Sequence, residues 1–223
     1  MSSPPLVTLL ISLKIAFWAT ALILPPGILL GLFLARSDFR GKAIVEAVST
    51  LPLVLPPTAV GYLLLRLLAR TGPLGERTLG FDLDLLFTWK GAVLASSLMA
   101  LPLVARTARV AFEEVDARLE GVARTLGLGP VRTFIEISLP LARRGILAAA
   151  VLGFSRALGE FGATVIVAGN IPGKTQTLAL AIFSEMQIGH DRQALVLAGM
   201  TVVLAFASVW SVEILLRRRA RAS

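Results

Sequence analysis

The chain has 223 residues, a net charge of +8 and 56% hydrophobic content, with charged residues at only 16% against about 25% in soluble domains. A water-soluble globule of this size would have to expose long apolar runs, so one compact membrane domain is the economical reading. Cys is absent, which excludes disulfides and thiolate metal sites and leaves the redox compartment unreadable from cysteines.

The N-terminus, Met1-Ser2-Ser3-Pro4-Pro5, has no basic region, and no small-residue cleavage site follows the first apolar run. That run is expected to be retained rather than removed as a signal peptide. About 20 apolar residues cross the hydrocarbon core as a helix, and five such spans are expected, at residues 15–35, 43–65, 85–105, 145–168 and 193–216. The stretch before Ile15 is expected along the interface, with the Lys14 ammonium reaching to water.

Pro25-Pro26 interrupts the first span, Pro52, Pro56 and Pro57 the second, and Pro102 the third. Each proline removes a donor and frees a carbonyl, which in lipid needs a neighbouring helix or a wet cavity as partner. Two readings stand side by side. Kinked helices bearing Pro56, Pro57, Thr58, Ser96 and Ser97 line a path, or the kinks serve packing alone.

Lys and Arg number 14 on residues 36–42, 106–144 and 217–223, and 7 on residues 66–90 and 156–192. The positive-inside rule assigns the richer set to the cytoplasm. The N-terminus is then outside, the C-terminus inside, and residues 1–223 form a single membrane domain with a long cytoplasmic loop at about 106–144. In a soluble protein such charge would suggest nucleic acid; here it marks loops, and no nucleic-acid partner is expected. Arg217-Arg218-Arg219 reads as a topology signal beside anionic lipid.

The long loop reads as two short helices around a turn. Gly127 and Gly129 permit a tight reversal, and Pro130 suits the first turn of the second helix. Leu119, Val122, Ala123 and Leu126 recur at helical spacing as an apolar stripe for a partner, flanked by Arg118, Glu120 and Arg124. A short amphipathic element without a core of its own is shaped to sit in a groove.

Arg156 and Glu160 are expected to share a helix face in the fourth span. Arg156 lies about 11 residues past Gly145, roughly 16 Å deep, close to the bilayer centre. The pair either lines or gates an anion path or locks helices together, and both readings stay open. Downstream, Ala168-x-x-x-x-Gly173-Lys174-Thr175 fits a relaxed phosphate-loop pattern, but it contains Pro172 and follows a span rather than a strand. A turn at the external mouth is expected there, with Lys174 drawing anions. His190, the lone histidine, is expected at the surface without ligand partners. No Ser/His/Asp or paired-carboxylate set sits at catalytic spacing, so this chain is not expected to be an enzyme.

The loop resembles the cytoplasmic signature of ABC importer permeases: Glu-Ala-Ala, three residues, Gly, nine residues, then Ile-x-Leu-Pro. The matching residues are Val122, Ala123, Gly127, Ile137, Leu139 and Pro140. Gly121 departs where the family has Glu. Glu120 lies one residue earlier, about 100° round the helix, so it does not simply replace that glutamate. The runs LPLVLPPTAVGY, FTWKGAVLAS, RALGEFGAT and AGNIPGKTQT resemble the molybdate permease branch of that family; sulfate and thiosulfate permeases share part of the third.

The resemblance covers residues 10–216 or so. It implies an all-α, polytopic transmembrane bundle of about five spans with the type I-like ABC importer permease fold, in a bacterial or archaeal cytoplasmic (inner) membrane. Glu120, Gly121, Val122, Ala123, Arg124, Gly127, Ile137, Leu139 and Pro140 would form the ATPase-coupling loop. Pro56, Pro57, Thr58, Ser96, Ser97, Arg156 and Glu160 are the candidates for the path. The implied partners are a second copy of the chain, two ATP-binding cassette subunits, an extracytoplasmic oxyanion-binding protein and membrane lipid. No cofactor is expected in this chain, ATP and magnesium residing in the ATPase. Molybdate or tungstate is the expected cargo, with sulfate or thiosulfate as the alternative. An ATP-independent anion channel or facilitator is the rival of a different class, and it predicts transport with no ATPase on the loop. A membrane scaffold without transport is a third, and the broken spans and central charges speak against it.

Overall fold

The computed structural model describes residues 3–217, with side chains to Ser211; the Arg217-Arg218-Arg219 side chains lie outside the described residues. Among these residues the chain is all-helical: α1 Pro5–Arg36, α2 Lys42–Val54, α3 Pro57–Leu68, α4 Glu76–Leu79, α5 Trp89–Glu113, α6 Ala117–Thr125, α7 Pro130–Thr133, α8 Leu139–Leu158, α9 Gly162–Ala168, α10 Leu178–Gln187 and α11 Asp191–Arg217. A π-helical turn, Phe134–Ser138, joins α7 to α8. Among the described residues four helical segments are long and apolar enough to cross a membrane, Pro5–Arg36, Trp89–Glu113, Pro130–Leu158 and Asp191–Ser211. The bent pair α2–α3 makes up to five, in line with the expected number.

The trunk is α1, α5 and α8. Helix α5 buries a ladder of alanines, among them Ala92, Ala95, Ala100, Ala105, Ala108 and Ala111. Small side chains let helix backbones approach closely, which replaces the hydrophobic drive that lipid removes. On α1, a Cβ at Gly31 would sit 2.7 Å from the Arg109 amide nitrogen. On α8, one at Gly145 would collide with Ala111 Cβ, and one at Gly153 would sit 2.6 Å from Val104 Cγ2. Helices α3 and α9 pack on each other and on α5 as a second unit, where Val60, Leu64 and Leu68 meet Ala95, Met99, Ala163 and Val167.

Several expected boundaries move. The stretch before Ile15 belongs to α1 itself, and Lys14 places its ammonium 3.8 Å from the Trp89 ring centroid, a cation–π contact rather than a free reach to water. Pro25 and Pro26 lie inside α1 without ending it, and Pro102 lies inside α5. The second span does break: the chain bends by 108° from α2 to α3 across Leu55 and Pro56. Leu55 precedes a proline and takes ψ 142, as the steric conflict with a following ring requires. The third span runs on to Glu113 and the fourth starts before residue 145, so the interhelical loop is shorter than expected. The fourth span breaks at 159–161, between α8 and α9.

Candidate functional site

Two places bring the singled-out residues together: the α6 elbow at one end of the trunk and the break between α8 and α9.

Helix α6 starts at a true N-cap, since the Asp116 carboxylate accepts the Arg118 amide. It ends at Gly127 with φ +86, while Leu128 N donates to the Ala123 carbonyl, a left-handed cap that suits glycine. Gly129 has an ordinary φ of −68, and Pro130 opens α7 at its first position as expected. Gly121, Val122, Arg124 and Gly127 are exposed on α6 and its cap, as are Leu119 and Leu126. Ala123 is buried against the chain itself, so it supports the elbow from beneath and is not part of the outward stripe. Beyond the turn, Ile137 and Leu139 are half-buried and Pro140 is exposed.

Glu120 is turned inward. Its Oε1 accepts Arg36 Nε at 3.0 Å, Arg36 Nη2 at 2.9 Å and Ser138 Oγ at 2.8 Å. Arg36 Nη2 also donates to the Val115 carbonyl at 2.9 Å. The carboxylate that the sequence placed on the flank of a docking face is instead spent inside the protein. Sequence spacing carried no sign of this, because Arg36 is 84 residues away.

At the second place, α8 and α9 run antiparallel to α5 in one register: Gly145 meets Ala111, Gly153 meets Val104, and Val167 meets Gly91. Arg156 and Glu160 therefore sit opposite the middle of α5. Arg156 Nη1 donates to Glu160 Oε2 at 2.8 Å, and the Glu160 side chain is only 1% exposed. Its Oε1 accepts the Ala163 amide at 2.9 Å. The carboxylate thus caps the first turn of α9, where the helix dipole favours negative charge. The expected shared helix face is replaced by a pair that spans the break, because Gly159 ends α8 before Glu160 is reached. Arg156 keeps 27% of its side chain exposed, and one bond to Glu160 engages one of its five N–H donors.

Of the other path candidates, Pro56 and Thr58 are exposed and Pro57 half-buried, at the break of the second span. That break abuts the other, for a Cβ at Gly162 would lie 2.8 Å from Pro57 Cβ. Ser96 and Ser97 do not join them. Both are buried, and Ser97 Oγ donates to the Val93 and Ala19 carbonyls between α5 and α1. The Ser96 hydroxyl is buried without a hydrogen-bond partner. They face helix neighbours because α5 is enclosed on these sides.

The Gly173-Lys174-Thr175 segment is a turn following helix α9. Gly173 N donates to Ser3 Oγ, and Ser3 N to Gln176 Oε1, so the turn is laced to the start of α1. His190 is exposed, as expected, but it has a partner: Nδ1 lies 2.9 Å from Oε2 of buried Glu185. Among the described residues no group of three or more His, Asp or Glu is placed to hold a metal ion.

Residues 27–221 match the family model described as "Binding-protein-dependent transport system inner membrane component". The chain is 44% identical over 219 residues, 97% of it and 96% of the relative, to "Molybdenum transport system permease protein ModB" of Escherichia coli (strain K12). It is 32% identical over 195 residues, 87% of it and 70% of the relative, to "Sulfate transport system permease protein CysT" of Salmonella typhimurium. The fold is similar to a solved bacterial alginate ABC transporter in complex with a pentasaccharide-bound periplasmic protein. That match has a TM-score of 0.73 and 18% identity, and covers 96% of this chain and 78% of the other.

Proposed function

The chain belongs to the family of binding-protein-dependent transport system inner membrane components, and on that premise we propose that it is the membrane-spanning permease subunit of an ATP-driven importer for molybdate. The observation that carries the cargo is the 44% identity to a molybdenum permease across 97% of the chain, against 32% to a sulfate permease. A permease of this family is a multi-pass inner-membrane protein and not itself the catalyst.

The subunit works as a homodimer, because four or five helices are too few to enclose a path for a tetrahedral dianion, and a second copy completes it around a central axis. Two cassette ATPases, holding ATP and magnesium, seat α6 in a groove through Leu119, Val122 and Leu126, which α6 leaves uncovered. The N-terminus is outside and the C-terminus cytoplasmic, following the bias of basic residues. An oxyanion-binding protein docks on the outer face and delivers the anion. Closure of the ATPases moves the α6 elbows, and the two adjoining breaks, at Pro56-Pro57 and at 159–161, let the α3–α9 unit tilt against the trunk. Arg156, halfway across, offers the passing anion its remaining donors while Glu160 fixes its position.

Reconstitution tests this reading. The dimer with its two ATPases and binding protein, in proteoliposomes, is expected to take up molybdate in an ATP-dependent way, with tungstate as the stronger competitor and sulfate as the weaker. Uptake by the permease alone would favour a facilitator. Dominant competition by sulfate would move the chain to that branch. Since the chain has no native cysteine, a single cysteine at Arg118 reports sidedness: labelling from the outer face of intact cells would overturn the orientation and the coupling role of α6 together.

A further inference from the structure

Helix α6 is nine residues long, and its covalent tethers are short and irregular: residues 114–116 on one side and 126–129, including Gly127 in the left-handed region, on the other. A push on a helix held only by such tethers would be absorbed by bending them. Within α6 only Glu120 and Ala123 are buried, so the helix rests on the body of the protein through one carboxylate and one methyl group. That carboxylate gathers three donors on one oxygen. Two come from Arg36, the last residue of α1, and one from Ser138, the last residue of the π-helical turn before α8. Arg36 simultaneously holds the Val115 carbonyl in the tether itself. The Arg36 and Glu120 side chains are 21% and 9% exposed. Water therefore screens the pair weakly, and the guanidinium fork fixes direction as well as distance.

We infer that Arg36 and Glu120 are positioning residues for energy coupling. Their contact, with Ser138, clamps α6 to the ends of α1 and α8, so that displacement of α6 is delivered to the trunk instead of being lost in its tethers. The inference rests on the proposed importer reading and deepens it. It assigns Glu120 a role inside the permease, where the sequence had set it on the flank of the ATPase-coupling loop.

The test uses the complete complex of permease dimer, ATPases and molybdate-binding protein in proteoliposomes, with molybdate uptake and ATP hydrolysis measured on the same preparation. Arg36→Ala and Glu120→Gln are expected to assemble with the ATPase and to keep hydrolysing ATP. Their uptake should drop by about tenfold, within the usual range of coupling between sites, so that ATP spent per anion rises correspondingly. A fall of uptake and hydrolysis in equal proportion, or no change in either, would overturn the clamp. Should either variant fail to assemble, a second arm decides. Arg36→Cys with Glu120→Cys, bridged by a reducible bis-thiosulfonate reagent, is expected to transport with near-normal coupling when bridged and to uncouple when reduced. Loss of uptake on bridging would mean that the two ends must separate during the cycle, and the inference would be wrong. A wild-type complex that takes up no oxyanion would overturn the functional reading, and the clamp with it; the variants, read against a working wild type, bear on the clamp alone.

Discussion

Gly162 lies against Pro57, so closely that a Cβ on the glycine would sit 2.8 Å from the proline Cβ and 3.3 Å from the Thr58 amide nitrogen. The interruptions of two different spans therefore touch. A proline ring cannot swing aside as the end of a flexible side chain can. Gly162→Ala is accordingly expected to force α3 and α9 apart and to cost about 1–3 kcal/mol, the usual scale of overpacking. Thermal unfolding of the detergent-solubilised protein checks the stability, and molybdate uptake should fall as well. Unchanged values for both would show that the two breaks are not mechanically joined.

The central pair separates two roles by a double substitution. Arg156→Ala strands the Glu160 carboxylate, which is 1% exposed, and breaking a buried pair from one side costs about 3–5 kcal/mol. Arg156→Leu combined with Glu160→Gln removes both charges and is expected to recover most of that stability. Uptake by the double variant should remain impaired if Arg156 meets the anion. Recovery of uptake together with stability would reduce the pair to a helix lock.

Exposure on α6 divides its apolar residues into two kinds. Val122 is 57% exposed and Leu126 75%, whereas Ala123 is 4%. Val122→Asp and Leu126→Asp are expected to abolish co-purification of the ATPase while leaving the stability within about 0.5 kcal/mol of native. Ala123→Asp should lower the melting temperature as well, because it buries a charge against the protein's own surface. Equal destabilisation by all three would contradict the outward orientation of the stripe.

Two glycines predict opposite signs for the same substitution. At Gly31 a new methyl group would meet the Arg109 nitrogen at 2.7 Å and the Ala105 carbonyl oxygen at 2.8 Å, both backbone. Gly31→Ala is expected to destabilise by about 1–3 kcal/mol. At Gly121 nothing lies within 4 Å, so Gly121→Ala is expected to stabilise by about 0.5–1 kcal/mol through helix propensity. Melting curves of the two variants should move in opposite directions.

The spans, their number and the elbow were readable because long apolar runs and a glycine-proline turn are local signals. The response to proline was not local. Pro25-Pro26 and Pro56-Pro57 are the same dipeptide, yet only the second breaks its helix. Ile23 and Gly27 are buried on either side of the first, so packing flanks it and α1 continues, while α2 buries no residue. The break at 159–161 gave no proline warning. Its signals are Gly159 and Gly162 around a glutamate placed three residues before the amide it caps. The burial of Ser96 and Ser97 was hidden because polarity in an apolar run suggests water, whereas Ser97 spends its hydroxyl on the helix carbonyls around it. The Arg36–Glu120 contact lay beyond sequence reasoning, since only the folded trunk brings those two residues together.

Helix α1 has 32 residues, or about 48 Å of rise, against a hydrocarbon layer of about 30 Å. One end carries Arg36 and the other is stitched through Ser3 and Ser12 to residues 173–178. A single continuous helix therefore joins both aqueous rims of the molecule. Tipping it at one rim must shift the opposite rim, so neither face of the membrane can be rearranged in ignorance of the other.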